Sequence, residues 1–159
     1  MEDATTTNDE DDNTPRANEE PDDAQSRLVT HLRRAAKGGD GGGMTVLDVS
    51  GEIDLATLPA FKQALLDALD SSESNRVILN MTGVGYMDSS GFGTLLSANK
   101  GLRVSGGVLT LVGCNPVITR MIYITRLNTL FPLHDTEDEA LAALAVAEAA
   151  DNAPASAAP

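Results

Sequence analysis

One cysteine, two histidines and 11 lysines and arginines are all that this chain of 159 residues holds of those types. The lone Cys114 excludes an internal disulfide, and its place after an apolar run reads as a buried, inert thiol rather than a redox centre. His31 and His134 do not join cysteines or acids at metal-ligand spacing, so neither a metal nor another cofactor is expected. No Walker-type glycine loop is present. No run of 18 apolar residues and no basic-then-apolar N-terminus occur, so the expectation is a cytoplasmic protein without a membrane span or secretory signal.

Positive charge is scarce too. The formal net charge is −13, and residues 1–26 carry −9 of it, against −4 over 27–159. Nucleic acid and anionic membrane are therefore unsuitable partners for either part. Residues 1–26 also lack Leu, Ile, Val and Phe, so they cannot bury enough surface to offset ordering, and a disordered acidic tail is expected there. The Ala/Pro/Ser-rich stretch 149–159 is expected to be a disordered C-terminal tail.

Between the tails, 27–148 reads as one domain of the α/β class. Arg27–Arg33 and the alternating run Met44–Ser50 predict a hairpin whose tip is the glycine-rich stretch Lys37–Gly43. Thr57 is placed to cap a helix with Pro59 in its first turn and Leu58, Phe61, Leu65 and Leu69 on its inner face. Arg76–Met81 is apolar on both faces at its centre, as a strand covered from both sides would be. A second helix is predicted over Ser90–Val104 and a strand over Val108–Val112. A third helix follows, capped by Asn115 with Pro116 at its start, then an edge strand over Leu130–Leu133. Thr136-Glu137-Asp138-Glu139 is a capping box that opens a last helix. The order β-β-α-β-α-β-α-β-α implies a mixed, mostly parallel sheet of four or five strands with about four helices. In such sheets functional loops lie beyond the carboxyl ends of strands, where Asp54 and Ser89 fall.

Met87-Asp88-Ser89-Ser90-Gly91-Phe92 is the most informative segment. It joins a strand to a helix and sets a hydroxyl where backbone N–H groups are unsatisfied and the helix dipole is positive, so a phosphate there is well tolerated. The plainer reading of Ser89 is a helix N-cap, and the two roles are compatible. Asp88 is adjacent and would repel an added phosphate. Gly91 and Gly93 remove side chains around the hydroxyl and let another backbone or a nucleotide approach. The third helix carries more apolar residues than one buried stripe requires, so Met121 or Ile124 is expected to be partly exposed and available to a partner. A serine hydrolase is disfavoured, because the nucleophile elbow wants glycine two residues before the serine and Met87 stands there.

Gly51-Glu52-Ile53-Asp54, followed about 30 residues later by Tyr86-Met87-Asp88-Ser89-Ser90-Gly91-Phe92-Gly93, resembles the bacterial anti-sigma factor antagonists built on the STAS domain. Gly106-Gly107 before the fourth strand and the helix from Pro116 to Leu127 followed by Asn128-Thr129-Leu130-Phe131 match the same pattern. The resemblance implies a single STAS domain with no enzymatic activity of its own. It further implies partner switching: the unphosphorylated chain binds an anti-sigma factor that is also a serine kinase, and so frees a sigma factor. The kinase phosphorylates it from Mg-ATP, and a PP2C-type phosphatase resets it. By the family motif the phosphorylated residue maps to Ser89, with Ser90 as second choice, and Asp54 maps to an acidic position that contributes to the kinase contact. A structural turn carboxylate is the plainer reading of Asp54. The alternative function is a STAS module that binds without phosphorylation, as a scaffold or a nucleotide or protein sensor.

Overall fold

The computed structural model describes residues 27–35, 44–72 and 75–151. The acidic run 1–26, the hairpin tip and residues 152–159 lie outside the described residues, and with them the expectations made for those segments.

Five strands form one sheet in the order β1-β2-β3-β4-β5. They are β1 (Val29–Ala35), β2 (Met44–Ile53), β3 (Arg76–Met87), β4 (Val108–Val112) and β5 (Leu133–His134). β1 and β2 pair antiparallel, as a hairpin must, and the other pairings are parallel. The helices are α1 (Leu58–Ser71), α2 (Ser89–Val104), α3 (Pro116–Ile124) and α4 (Glu137–Asp151).

The strand order dictates the layers. Each parallel crossover steps one strand in the same direction, so right-handed connections place α1, α2 and α3 on one face. Phe61 and Leu65 of α1, Leu95 and Leu102 of α2, and Ile118 and Ile122 of α3 pack there against Leu47, Leu79 and Leu111. α4 follows the last strand, and its Ala140 and Leu144 cover Val46, Ile78 and Val112 on the opposite face. Alternate residues of β3 thus enter two cores, which is why Val77-Ile78-Leu79 is apolar throughout. Arg33 fastens the second layer: its guanidinium grips Asp48 (Nε–Oδ2 2.6 Å) and also reaches Glu137 of α4. Asn80 donates to the same Asp48 carboxylate at 2.8 Å.

Three local expectations are corrected. The segment Leu130–Leu133 is not a four-residue strand. Leu127–Thr129 forms a 3₁₀ turn, Phe131 is buried in the core, and only Leu133–His134 pairs with β4. Proline's missing N–H leaves Pro132 only a carbonyl to give, which accepts from Leu111 N–H at 2.9 Å. α3 stops at Ile124 rather than Leu127, where Thr125 Oγ1 donates to Met121 O and Arg126 takes a left-handed φ of 62°. Thr57 stands at the N-cap of α1 without capping through its side chain; its hydroxyl donates instead to Glu52 O at 2.7 Å.

β3 pairs with β4 only as far as Asn80, but with β2 as far as Met87 opposite Ile53. The ends of β2 and β3 therefore project as a two-stranded arm beyond the rest of the parallel sheet. The register shifts along this arm, at Asp48/Ser50 and Gly51/Glu52. Gly51 serves the irregularity: its φ is 108°, and a Cβ there would lie 2.3 Å from Arg27 O. The tip of the arm carries the candidate site.

Candidate functional site

Because Ile53 and Met87 are partners, the residues after each leave the sheet side by side. Asp88 N–H donates to Ile53 O at 3.0 Å, which joins the two departing loops at their roots. The loop after β2 then turns tightly. Asp54 Oδ1 accepts from Thr57 N–H at 3.0 Å, and Asp54 N–H donates to Thr57 Oγ1 at 3.0 Å. Asp54 is half-buried and serves as a turn carboxylate, with Oδ1 committed to this loop.

The start of α2 differs from the expectation in one respect that matters. Asp88, not Ser89, is the N-cap. Its Oδ1 accepts from Ser90 N–H at 2.9 Å, Gly91 N–H at 3.2 Å and the Ser90 hydroxyl at 2.5 Å. Short polar side chains compete for the cap, and an ionised carboxylate makes stronger bonds to backbone N–H than a hydroxyl does. The Ser90 hydroxyl, followed by the N–H groups of Gly91, Ser90 and Leu55, holds the Asp88 carboxyl below the usual aspartate range. With Asp88 N–H bonded to Ile53 O, the Asp54 segment and the Ser89 segment form one surface. Two of the helix's unsatisfied N–H groups are already used by this carboxylate. A phosphate on Ser89 therefore meets a negative charge and not a vacant anion site.

Ser89 is the first residue of α2. It is exposed, and its hydroxyl makes no hydrogen bond among the described residues. Ser90 is half-buried and its hydroxyl is spoken for. The two serines, adjacent in the sequence, are chemically distinct in the fold.

The two glycines also part. Gly91 does not open the site to a partner: it is buried, and a Cβ there would lie 2.5 Å from Met87 Cγ and 2.8 Å from Ile53 Cγ2. Its missing side chain lets α2 seat on the ends of β2 and β3. Gly93 is exposed, and a Cβ there would meet nothing. It borders a groove of about 360 Å³ between α1 and α2, with Leu58, Leu66, Leu69 and Ser90 among its walls.

Met121 and Ile124 are 42% and 65% exposed on α3, beside Val117 and Tyr123. α3 is anchored to the arm through Asn115, whose Nδ2 donates to Val84 O and Gly85 O while its Oδ1 caps Ile118 N–H at 2.8 Å. No described hydrogen bond joins Met121 or Ile124 to the Ser89 turn. Leu55 (74% exposed) follows Asp54, and Tyr86 (50% exposed) stands two residues before Asp88; Tyr86 entered the sequence reading only as part of the motif, and Leu55 not at all. Neither belongs to a periodic pattern; only an apolar residue inside a polar turn could have flagged Leu55.

His31 and His134 lie on β1 and β5, the two edge strands, each two strands away from β3, from which Ser89 departs. Cys114 is partly buried, and desolvation pushes its thiol up to about 11. Among the described residues no three His, Cys, Asp or Glu side chains group as a metal site would need, and no helix is long and apolar enough to cross a membrane.

Residues 39–140 match the family model described as STAS domain. The chain is 28% identical over 104 residues to the anti-sigma F factor antagonist of Paenibacillus polymyxa, covering 65% of this chain and 89% of that one. It is 35% identical over 91 residues to the anti-sigma-B factor antagonist of Listeria monocytogenes, covering 57% and 79%. The crystal structure of an anti-sigma factor antagonist from Mycobacterium paratuberculosis superposes with a TM-score of 0.63 at 31% identity, over 74% of this chain and 94% of that one.

Proposed function

We propose, from the premise that the chain belongs to the STAS domain family, that it is an anti-sigma factor antagonist switched by phosphorylation of Ser89. The unphosphorylated form binds an anti-sigma factor that is a serine kinase, and a sigma factor is released. The observation that carries this reading is the exposed, unengaged Ser89 hydroxyl beside the Asp88 carboxylate.

The chain supplies only the acceptor. A base on the kinase takes the Ser89 hydroxyl proton as its oxygen attacks the γ-phosphorus of Mg-ATP, and ADP leaves. The phosphoserine brings about −1.5 to −2 charges to a turn that already holds Asp88 and, one loop away, Asp54. One unit-charge repulsion at about 4 Å near a protein surface is roughly 4 kcal/mol before screening. A partner surface fitted to a neutral serine then loses affinity, and a change of about 3–4 kcal/mol weakens binding several-hundred-fold. No refolding is needed. A PP2C-type phosphatase hydrolyses the ester and restores the binding form.

Pulldown with wild type, Ser89→Ala and Ser89→Glu tests the switch. The alanine form is expected to retain the kinase and the glutamate form to release it. Equal retention by both, together with no phosphopeptide spanning Ser89 after incubation with the kinase and ATP, leaves the passive binding module as the function.

A further inference from the structure

At the far end of α2 the helix borders an open cleft of about 660 Å³, lined by Leu96, Asn99, Lys100, Arg103, Val104 and Leu130. Asn99 is 2% exposed, and its Oδ1 has no hydrogen-bond partner. A buried acceptor without a donor is costly, and nearly every such group in a folded protein is satisfied. Lys100 and Arg103 stand on the same turns of the helix, and neither makes an ion pair among the described residues. Leu96 and Val104 are exposed beside them, so the cleft combines aliphatic walls, two cations without an ion pair among the described residues and one acceptor without a donor there.

We propose that this cleft is a second docking surface, for an acidic, aliphatic peptide segment of a protein partner. Carboxylates of the segment pair with Lys100 and Arg103, its aliphatic side chains cover Leu96, Val104 and Leu130, and a backbone N–H meets Asn99 once the amide turns toward it. The two cations repel a basic segment, and the buried acceptor selects a peptide over a fatty acid, because a peptide backbone offers an N–H donor at every residue. On α2 the cleft's lining begins at Leu96, seven residues after Ser89, about 10 Å at 1.5 Å per residue. Ser89 is not among the lining residues, and the surface is argued without the phosphorylation reading.

The probe is an acetylated, fluorescein-labelled peptide of alternating Glu and Leu, titrated into the full chain and followed by anisotropy and by amide chemical shifts. Saturable binding that weakens with salt, shifts centred on Leu96–Val104 and Leu130, and roughly tenfold losses in Lys100→Ala and in Arg103→Ala support the proposal. Asn99→Leu removes the unpaired acceptor, so it is expected to raise the melting temperature while losing the peptide. The rim variants keep the test decisive should Asn99→Leu fail to fold. No saturable binding overturns the proposal. So does binding that all three variants retain, equal binding of a control peptide of alternating Lys and Leu, or preference for phosphatidylglycerol vesicles over the Glu/Leu peptide.

Discussion

The carboxylate of Asp88 accepts the hydroxyl of Ser90 at 2.5 Å, which leaves Ser89 as the unengaged alcohol of the pair. Phosphoryl transfer needs a hydroxyl that can leave its own protein's hydrogen bonds and enter another protein's active site. Incubation with the cognate kinase and ATP, followed by peptide mass spectrometry, is expected to place the phosphate on Ser89 in wild type and in Ser90→Ala. Label on Ser90 in Ser89→Ala at the wild-type rate contradicts this assignment.

Gly91 and Gly93 make an internal control for the seating of α2. Gly91→Ala drives a Cβ into Met87 and Ile53 and is expected to cost about 1–3 kcal/mol, the usual range for overpacking. Gly93→Ala enters open space and is expected to leave stability unchanged or raise it by up to about 1 kcal/mol, because alanine is the better helix former. Urea unfolding of the two variants reads both; equal midpoints would count against the inward placement of Gly91.

Leu55 and Tyr86 are exposed where the two loops meet. Exposed apolar side chains around a recognition point are where binding energy concentrates. Leu55→Ser and Tyr86→Ala are each expected to weaken binding of the anti-sigma factor about tenfold while shifting thermal stability little. Calorimetric titration beside a melting curve separates the two effects, and unchanged affinity in both removes these residues from the interface.

Acid is expected to loosen the β1–α4 layer. The hydrogen bond from Arg33, and with it that from Asn80, holds Asp48 below its ordinary carboxyl value of 3.8. The folded chain then binds fewer protons there than the unfolded chain, so the contribution is complete above that value and is lost as pH falls below it. Asp48→Asn should flatten the acid limb of a stability-against-pH curve below about pH 4. An unaltered limb shows that other carboxylates govern acid unfolding.

Much of the scaffold was legible because it rests on local patterns. The spacing of Phe61 and Leu65 marked the inner face of α1, the doubly apolar Val77-Ile78-Leu79 marked a strand between two layers, and the Asn115-Pro116 pair began α3 where it was expected. Half of the capping box at Thr136 formed: Glu139 N–H donates to Thr136 Oγ1, while the Glu139 carboxylate accepts from Asp135 N–H, one residue before the cap, instead of from Thr136 N–H. β5 was harder to read, since burial of Phe131, which no local pattern announces, pulls the chain out of the strand.

The sequence by itself determined the order of strands and helices and the position of a serine pair at a strand-to-helix turn, because hydrophobic period and turn chemistry act between near neighbours. Only the tertiary structure decided which serine is free, which glycine faces inward, and that Asp88 N–H meets Ile53 O of another strand. Those choices depend on β2 and β3 running on together past β4 to bring Ile53 beside Met87. Ile53 and Met87 stand more than thirty residues apart in the chain, and their pairing follows from the packing of the whole sheet.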